Sequence, residues 1–531
     1  MSTLATLDLV VLLIYMVVIV LIGVRAGRNA SATSEGYFLA NKSLAWPLIG
    51  ASFFASNIST VHLVGLAESG FRDGIVWGNF EWFSVVELVI LAFVFIPFYI
   101  HTRITTLPEF LEKRYDKRSR MLLAVFSIFA ALFMHIGVSL YAGAVVFQKM
   151  FGIDILLSIL IIAVATGIYT VIGGFVSVVV TETVQTVLLL AGSCTVLWLA
   201  IYKLPEVGVH SYSDLLAVVG ADRLKAVDFD SSKRGFTFMD MLLGHLVLGL
   251  WYWCTDQTIV QRALGARSAR QAQFGALFAG FLKLLPVFLM VIPGILAYAL
   301  FREQIGTDTK SVLPIMIMNL MPVGIRGLML AAILAAVMSS VAAALNSCST
   351  LVVFDVFDKL KPGLPDHAKV RIGKFTTAVV LMLAVSWSPF LADLGSIFEL
   401  INQMFSIFAP AIVAVFLWGV VTPRGTATAS FWTLVGGSVA GLGVFIIEKY
   451  IPIHGVTHYV SSPQGLGIHW LTQTYLFFIF SSVVYFAVTW LDRKRQEPAR
   501  FDFTLGWPSG PVIAVSLLLL TTLVAVYVFF Y

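Results

Sequence analysis

The feature that most constrains this chain is a run of about fourteen apolar stretches, each near the roughly 20 residues that an α-helix needs to cross the hydrocarbon core of a bilayer. They fall near 5–26, 46–68, 77–99, 121–149, 154–174, 176–202 and 237–261, then 274–302, 326–354, 371–392, 396–420, 428–448, 468–491 and 509–530. Among 531 residues, 59% are hydrophobic and 12% charged. That is more apolar surface than one water-soluble core can hide, so the expected solvent is lipid. The expected fold class is an all-α polytopic membrane protein. The first stretch follows Met1–Ser2 with no basic leader and no small-residue cleavage site before Arg25, so it reads as a retained helix.

Lys and Arg cluster after the odd-numbered segments, as at Arg25 and Arg28, Arg103 to Arg120, Arg262, Arg267 and Arg270, Lys359 to Lys374, and Arg493 to Arg495. Short loops rich in such residues stay in the cytoplasm. Both termini are then expected outside, and the long polar connections 203–236, 303–325 and 449–467 with them. The net charge of +5 reflects this topology. With no nucleic-acid motif and no basic arm, no nucleic-acid partner is expected. Asn-x-Ser/Thr sequons at Asn29 and Asn41 fall on the inner side and none falls in the outer loops, which points to a bacterial inner membrane. Cys194, Cys254 and Cys348 lie inside predicted spans, so neither a disulfide frame nor a Cys-rich metal site is expected.

Two segments carry a polar interruption, Ser56-Asn57-Ile58-Ser59-Thr60 and Trp253-Cys254-Thr255-Asp256-Gln257. They are five segments apart, an odd number, so two five-helix units starting there have opposite orientations. That is the arithmetic of an inverted repeat with unwound backbone near the midplane. The units are expected over 46–202 and 237–420, with 5–26 as an extra helix before them and 428–530 as further helices after.

Ionisable residues inside spans cost several kcal/mol and mark pathways, internal pairs or watery cavities. Glu81, beside Trp82 and one turn from Ser84, offers a carboxylate, a hydroxyl and a ring, which suit the hydroxyls and C–H faces of a sugar. Asn57, His62, His135, Lys283 and Asn402 sit at similar depths; singly each is as easily a packing residue. On the ninth segment, Ser339 and Ser340 lie on one face beside the Ala336 carbonyl, and the break near Ala55 and Ile58 frees further oxygens for a hard cation. Read on its own, a Ser-Ser pair in a helix is more often a packing notch. Glu182 is equally readable as a cation attractor near the inner vestibule and as a cap or salt-bridge partner. HExxH, Walker A, GxSxG and CxxC patterns are missing, so enzymatic chemistry has no support.

Several stretches together resemble the sodium/glucose cotransporter branch of the solute:sodium symporter family: Gly50-Ala51-Ser52 through Gly65, Phe80-Glu81-Trp82, Thr181-Glu182-Thr183-Val184-Gln185, Trp251 through Gln257, Phe281-Leu282-Lys283, and Ser339-Ser340 with Leu345-Asn346-Ser347. The resemblance implies about fourteen helices around a leucine-transporter-type five-plus-five inverted-repeat core. It implies a symporter driven by sodium as coupling ion, with no other cofactor, importing a glucose- or galactose-like monosaccharide by alternating access. The implied sodium ligands are the Ala55, Ile58 and Ala336 carbonyls with the Ser339 and Ser340 hydroxyls. The implied solute contacts are Asn57, His62, Glu81, Ser84, His135, Trp253 and Lys283, with Tyr252 as an inner gate under the ring.

Four positions depart from the family pattern. The sugar-binding Gln of the eleventh segment is Asn402, one methylene shorter. The Asp of the T-D motif is Glu182. Ala342 stands where some relatives place a Thr hydroxyl for a second sodium, so one sodium per solute is expected. Gly249 replaces a polar contact beside the inner gate, leaving room or a water. A polyol such as myo-inositol, or a sugar acid, is the alternative solute. A non-transporting membrane sugar sensor is a more distant reading, since no signalling domain is visible.

Overall fold

The computed structural model describes residues 5–28, 32–230, 236–393, 397–450, 468–492 and 508–531. The 449–467 connection past Tyr450, the Asn29 sequon and the Arg493–Arg495 cluster lie outside these residues. Of the chain's helices, those that position the site and frame the bundle are α1 (Thr6–Gly27), α2 (Trp46–Asn57), α3 (Thr60–Asp73), α4 (Asn79–Ile90), α5 (Lys117–Phe129), α6 (Val138–Phe151) and α7 (Ile155–Lys203). The series continues with α8 (Phe238–Gly249), α9 (Gln257–Leu264), α10 (Ala269–Pro286), α11 (Ile325–Leu351), α12 (Asp366–Trp387), α13 (Ile397–Val421), α14 (Ala427–Tyr450), α15 (Trp470–Leu491) and α16 (Gly510–Phe529).

Among the described residues eleven helices are long and apolar enough to cross a membrane, twelve when the bent pair α2–α3 is taken as one span. Two further crossings come from breaks. The 53-residue run Ile155–Val207 is split at Gly174 (φ 60°, ψ −149°), a conformation open to glycine. A Cβ there would also stand 2.5 Å from the Tyr37 carbonyl. α8 and α9 form one crossing interrupted at Asp256, whose backbone is extended. Counted in this way the described residues give fourteen crossings, the number of apolar stretches in the sequence.

The α2–α3 break bends the chain by 62°. α2 stops because Ile58 turns extended (φ −74°, ψ 99°), as does Ser59, and α3 restarts with the Ser59 hydroxyl 3.2 Å from His62 Nδ1. Carbonyls at such a break leave the helical ladder, which a membrane interior tolerates where the backbone lines a cavity.

α11 is the axis of the bundle. Every residue from Met329 to Leu351 is buried, and its alanines at 331, 332, 335, 336 and 342–344 let neighbours approach closely. α1 and α16 form the periphery, with Leu13, Leu21, Leu517 and Val528 exposed to the expected lipid. At one end of the bundle the Asp8 carboxylate accepts from the Gly324 and Gly327 amides at 2.7 and 3.0 Å, capping the start of α11. At that same end the Ala226 amide donates to the Phe530 carbonyl at 2.9 Å.

Candidate functional site

The helix break and α11 meet at the serine pair. Ser339 Oγ lies 2.7 Å from the Ala55 carbonyl and 3.1 Å from that of Ala336; Ser340 Oγ lies 3.1 Å from the Ala336 carbonyl and 3.3 Å from that of Ser56. Ile58 is extended at the end of α2, its amide still donating to the Phe54 carbonyl at 2.9 Å. The result is a notch of neutral carbonyl and hydroxyl oxygens between two helices, the chemistry a hard monovalent cation takes. The Ser56 carbonyl was not foreseen from sequence and adds to this set.

A cavity of about 170 Å³ opens against the notch, with Ser56 and Ser340 among its lining residues. Asn57, His62, Glu81, Ser84 and His135 line it from the first half of the chain; Tyr252, Trp253, Lys283 and Asn402 line it from the second. Thus all nine residues singled out for the solute face one space. The Lys283 ammonium ion-pairs with Glu81, reaches Asn57 Oδ1 at 2.6 Å and lies 5.6 Å from the centre of the Trp253 ring. The other Glu81 oxygen is 3.9 Å from His62 Nε2. Pairing is what allows a cation and a carboxylate at this depth. It also leaves charged donors and acceptors whose hydrogen bonds to hydroxyl groups are about twice as strong as neutral ones. Ser84 donates to the Phe80 carbonyl at 2.9 Å, which leaves its oxygen lone pairs as acceptors. Tyr252 meets Trp253 edge to face at 5.2 Å, putting an aromatic floor under the cavity.

His135 sits in a π-helical turn, Ala130–Gly137, between α5 and α6. Its ring is parallel to that of Trp251, 6.3 Å away, and its Nε2 comes within 2.9 Å of Asp256 Oδ2 without hydrogen-bond alignment. The other Asp256 oxygen caps α9 by accepting from the Thr258 amide at 2.8 Å. One carboxylate thus ties the second helix break to the His135 turn.

Glu182 does not open toward a vestibule. It is fully buried in α7 and bonded to Arg262 Nη2 at 2.7 Å, to Ser56 Oγ at 2.8 Å and to Ser52 Oγ. Of its two readings the geometry favours the salt bridge. Arg262 in turn corrects the topology reading: it is no loop cation but sits 1% exposed in the last turn of α9, bound also to Ser52 Oγ at 3.0 Å. The space at Gly249 is corrected too, because the Glu87 carboxylate fills it; a Cβ on Gly249 would fall 1.8–2.0 Å from that group. Sequence reasoning missed Glu87 and His245, and it assigned no contact to Ser52, Ser56 or Asp256 although it placed the last two in the polar interruptions. Glu87 was findable as a carboxylate in an apolar span, but its partner lies 158 residues away.

A broken helix that turns carbonyls toward a serine pair and side chains toward a cavity is the layout of an ion-coupled secondary transporter. The profile of the Sodium:solute symporter family matches residues 37–437, and the chain belongs to that family, in its sodium/glucose cotransporter branch. Sodium/glucose cotransporter 1 of Ovis aries is 34% identical over 521 residues, covering 91% of this chain and 78% of the relative. Sodium/myo-inositol cotransporter 2 of Oryctolagus cuniculus is 31% identical over 528 residues, covering 93% and 77%. The fold is shared with a sodium-coupled sialic acid symporter solved in a substrate-bound outward-open state, with TM-score 0.79 and 21% identity, over 93% of this chain and 99% of that one. It is the leucine-transporter type, and the chain is a sodium-coupled symporter rather than an enzyme.

Proposed function

We propose that the solute is a neutral monosaccharide, bound in the cavity beside the serine notch and carried inward with one sodium by alternating access. The observation that carries this is the convergence of Glu81, Lys283, Asn57, His62 and the Trp253 ring on one space whose wall includes Ser340. Charged donors and acceptors around an aromatic surface match a ring bearing hydroxyls on its edge and C–H groups on its faces. Sodium among the Ala55, Ile58, Ala336, Ser339 and Ser340 oxygens straightens the Ser56–Asn57 end of α2, which presents Asn57 to the solute. Linkage requires that solute raise sodium affinity by the same factor. The similarity to a myo-inositol cotransporter supports a cyclic polyol as the second reading.

The repeat halves run over 46–202 and 237–420, with 5–26 before them and 428–530 after. The membrane is a bacterial inner membrane with both termini outside. Asp8 at Gly324 and Phe530 at Ala226 support the reading that both chain ends share one face. The opposite face carries Ser34 with Asp366, Leu44 with Gly265, and the Lys359–Glu112 pair, among the basic loops.

Counterflow in proteoliposomes against hexoses, inositols and sugar acids tests the reading, with a neutral hexose expected to exchange only with sodium present. Exchange of sugar acids alone would overturn it. Glu81→Gln keeps size but loses the charge, so half-saturating hexose is expected to rise about tenfold, the loss of roughly 1.5 kcal/mol of charge-assisted bonding. Unaltered affinity in a monodisperse variant would place Glu81 outside the site.

A further inference from the structure

Six residues along α4 from Glu81, roughly 9 Å on at 1.5 Å per residue, a second carboxylate is wholly buried at Glu87. Its Oε1 is 2.9 Å from His245 Nδ1, and its Oε2 has no hydrogen-bond partner among the described residues. The carboxylate leans on Gly249, where any larger residue would collide with it. His245 and Gly249 both line the solute cavity, so Glu87 stands immediately behind its wall. The Phe80 ring, 4.5 Å from the imidazole and nearly perpendicular to it, fixes the imidazole from the side.

A buried charge in a membrane span is expensive, and an apolar pair would join α4 to α8 at lower cost. Neither the serine notch nor the Lys283–Glu81 pair uses Glu87. An ionised Glu87 carboxylate only accepts, which puts the hydrogen of this contact on Nδ1, and an imidazole that is neutral then keeps its lone pair on Nε2. This is the way a carboxylate orients a functional histidine elsewhere.

We propose that Glu87 and His245 form a second polar pole of the solute cavity. Glu87 is the positioning residue. His245 Nε2 accepts a hydrogen bond from one hydroxyl of the bound sugar or polyol, and the fixed negative charge behind it disfavours solutes bearing a carboxylate. Gly249 leaves room for the Glu87 carboxyl at the wall, and a Cβ there would displace it. The inference rests on the sugar reading above and deepens it: it assigns a further contact and excludes the anionic members of the solute class.

The test uses the full chain in proteoliposomes with a neutral hexose, its monodeoxy analogues and the corresponding uronic acid. The wild type is expected to prefer the hexose to the uronate. His245→Leu should raise half-saturating hexose about three- to tenfold, the loss of one hydrogen bond, and leave half-saturating sodium at saturating solute unchanged. One monodeoxy analogue, lacking the partner hydroxyl, should lose nothing further in that variant. Glu87→Gln should narrow the hexose-over-uronate preference. Gly249→Ala, which displaces the carboxyl by a different route, should do the same. If these variants shift the hexose and every deoxy analogue by one common factor, or lower only protein yield, the pair is structural and the inference falls. A wild type that takes up hexose with variants that leave discrimination intact defeats the inference alone; a wild type that takes up none of the neutral panel defeats the sugar reading and the inference with it.

Discussion

Ser340 touches both halves of the coupling, since its hydroxyl reaches the Ser56 carbonyl in the ion notch while its side chain lines the solute cavity. Replacing it with alanine removes one oxygen from the notch and leaves the cavity wall nearly unchanged in shape. Half-saturating sodium in uptake assays is therefore expected to rise about tenfold for Ser340→Ala, on the scale of one charge-assisted contact. A sodium dependence identical to wild type would place the ion elsewhere. Ser56 also connects the notch to a deeper layer, for its hydroxyl donates to Glu182 at 2.8 Å. Glu182→Gln leaves the Arg262 guanidinium buried beside a neutral amide, a change that costs about 3–5 kcal/mol when a buried pair is broken. Thermal unfolding in detergent should show a clear drop in Tm, partly recovered in the Glu182→Gln/Arg262→Gln double variant. Full stability of the single variant would mean the pair contributes little. Residue type and depth were legible in the sequence for every solute candidate, because intramembrane polar groups stand out against an apolar background. Pairings were not. Glu182 with Arg262 and Glu87 with His245 depend on which helix faces which, and Arg262 beside Arg267 and Arg270 carries the same local signal as a loop cation.

At the scale of elements, breaks in helices proved more readable than contacts between them. Ser56 to Thr60 and Trp253 to Gln257 announced themselves as polar interruptions, and both are places where the backbone turns extended. The division between the apolar stretches 154–174 and 176–202 likewise falls at the observed break, Gly174. What the sequence did not disclose were the π-helical turns at Ala130–Gly137 and Leu250–Thr255, which aim His135 and the Trp251–Trp253 rings. They arise from inserted backbone bonding and leave no residue signature. Gly174 gives a direct test at this scale. Its φ of 60° with ψ of −149° is a region disfavoured for any residue with a Cβ, and that Cβ would meet the Tyr37 carbonyl and ring. Gly174→Ala is expected to destabilise by about 1–3 kcal/mol from the backbone alone, with more from the collision. A detergent-solubilised variant with unchanged Tm would mean that the α7 break is not held in this geometry.

For the whole molecule the open quantity is how many sodium ions drive one solute. The serine notch supplies one set of oxygens. A second set needs another hydroxyl or carboxylate close by, and two residues decide whether there is one. Ala342, fully buried in α11, offers a methyl group and no oxygen. Glu182 is a carboxylate one methylene longer than the family's aspartate, which by itself favours reach toward an ion. In the structure that reach is already spent: Arg262, Ser52 and Ser56 occupy the carboxyl, and the guanidinium neutralises its charge. An ion there would displace a buried cation from its partner, a cost of several kcal/mol against the modest gain of a half-completed shell. One sodium per solute is the expected stoichiometry. For a neutral solute, the voltage that nulls net flux in proteoliposomes then shifts by about 59 mV for a tenfold change in solute gradient at fixed sodium, against about 30 mV if two sodium ions move, because each solute is then balanced by twice the charge. A shift near the smaller value would show that the Glu182–Arg262 pair opens to admit a second ion.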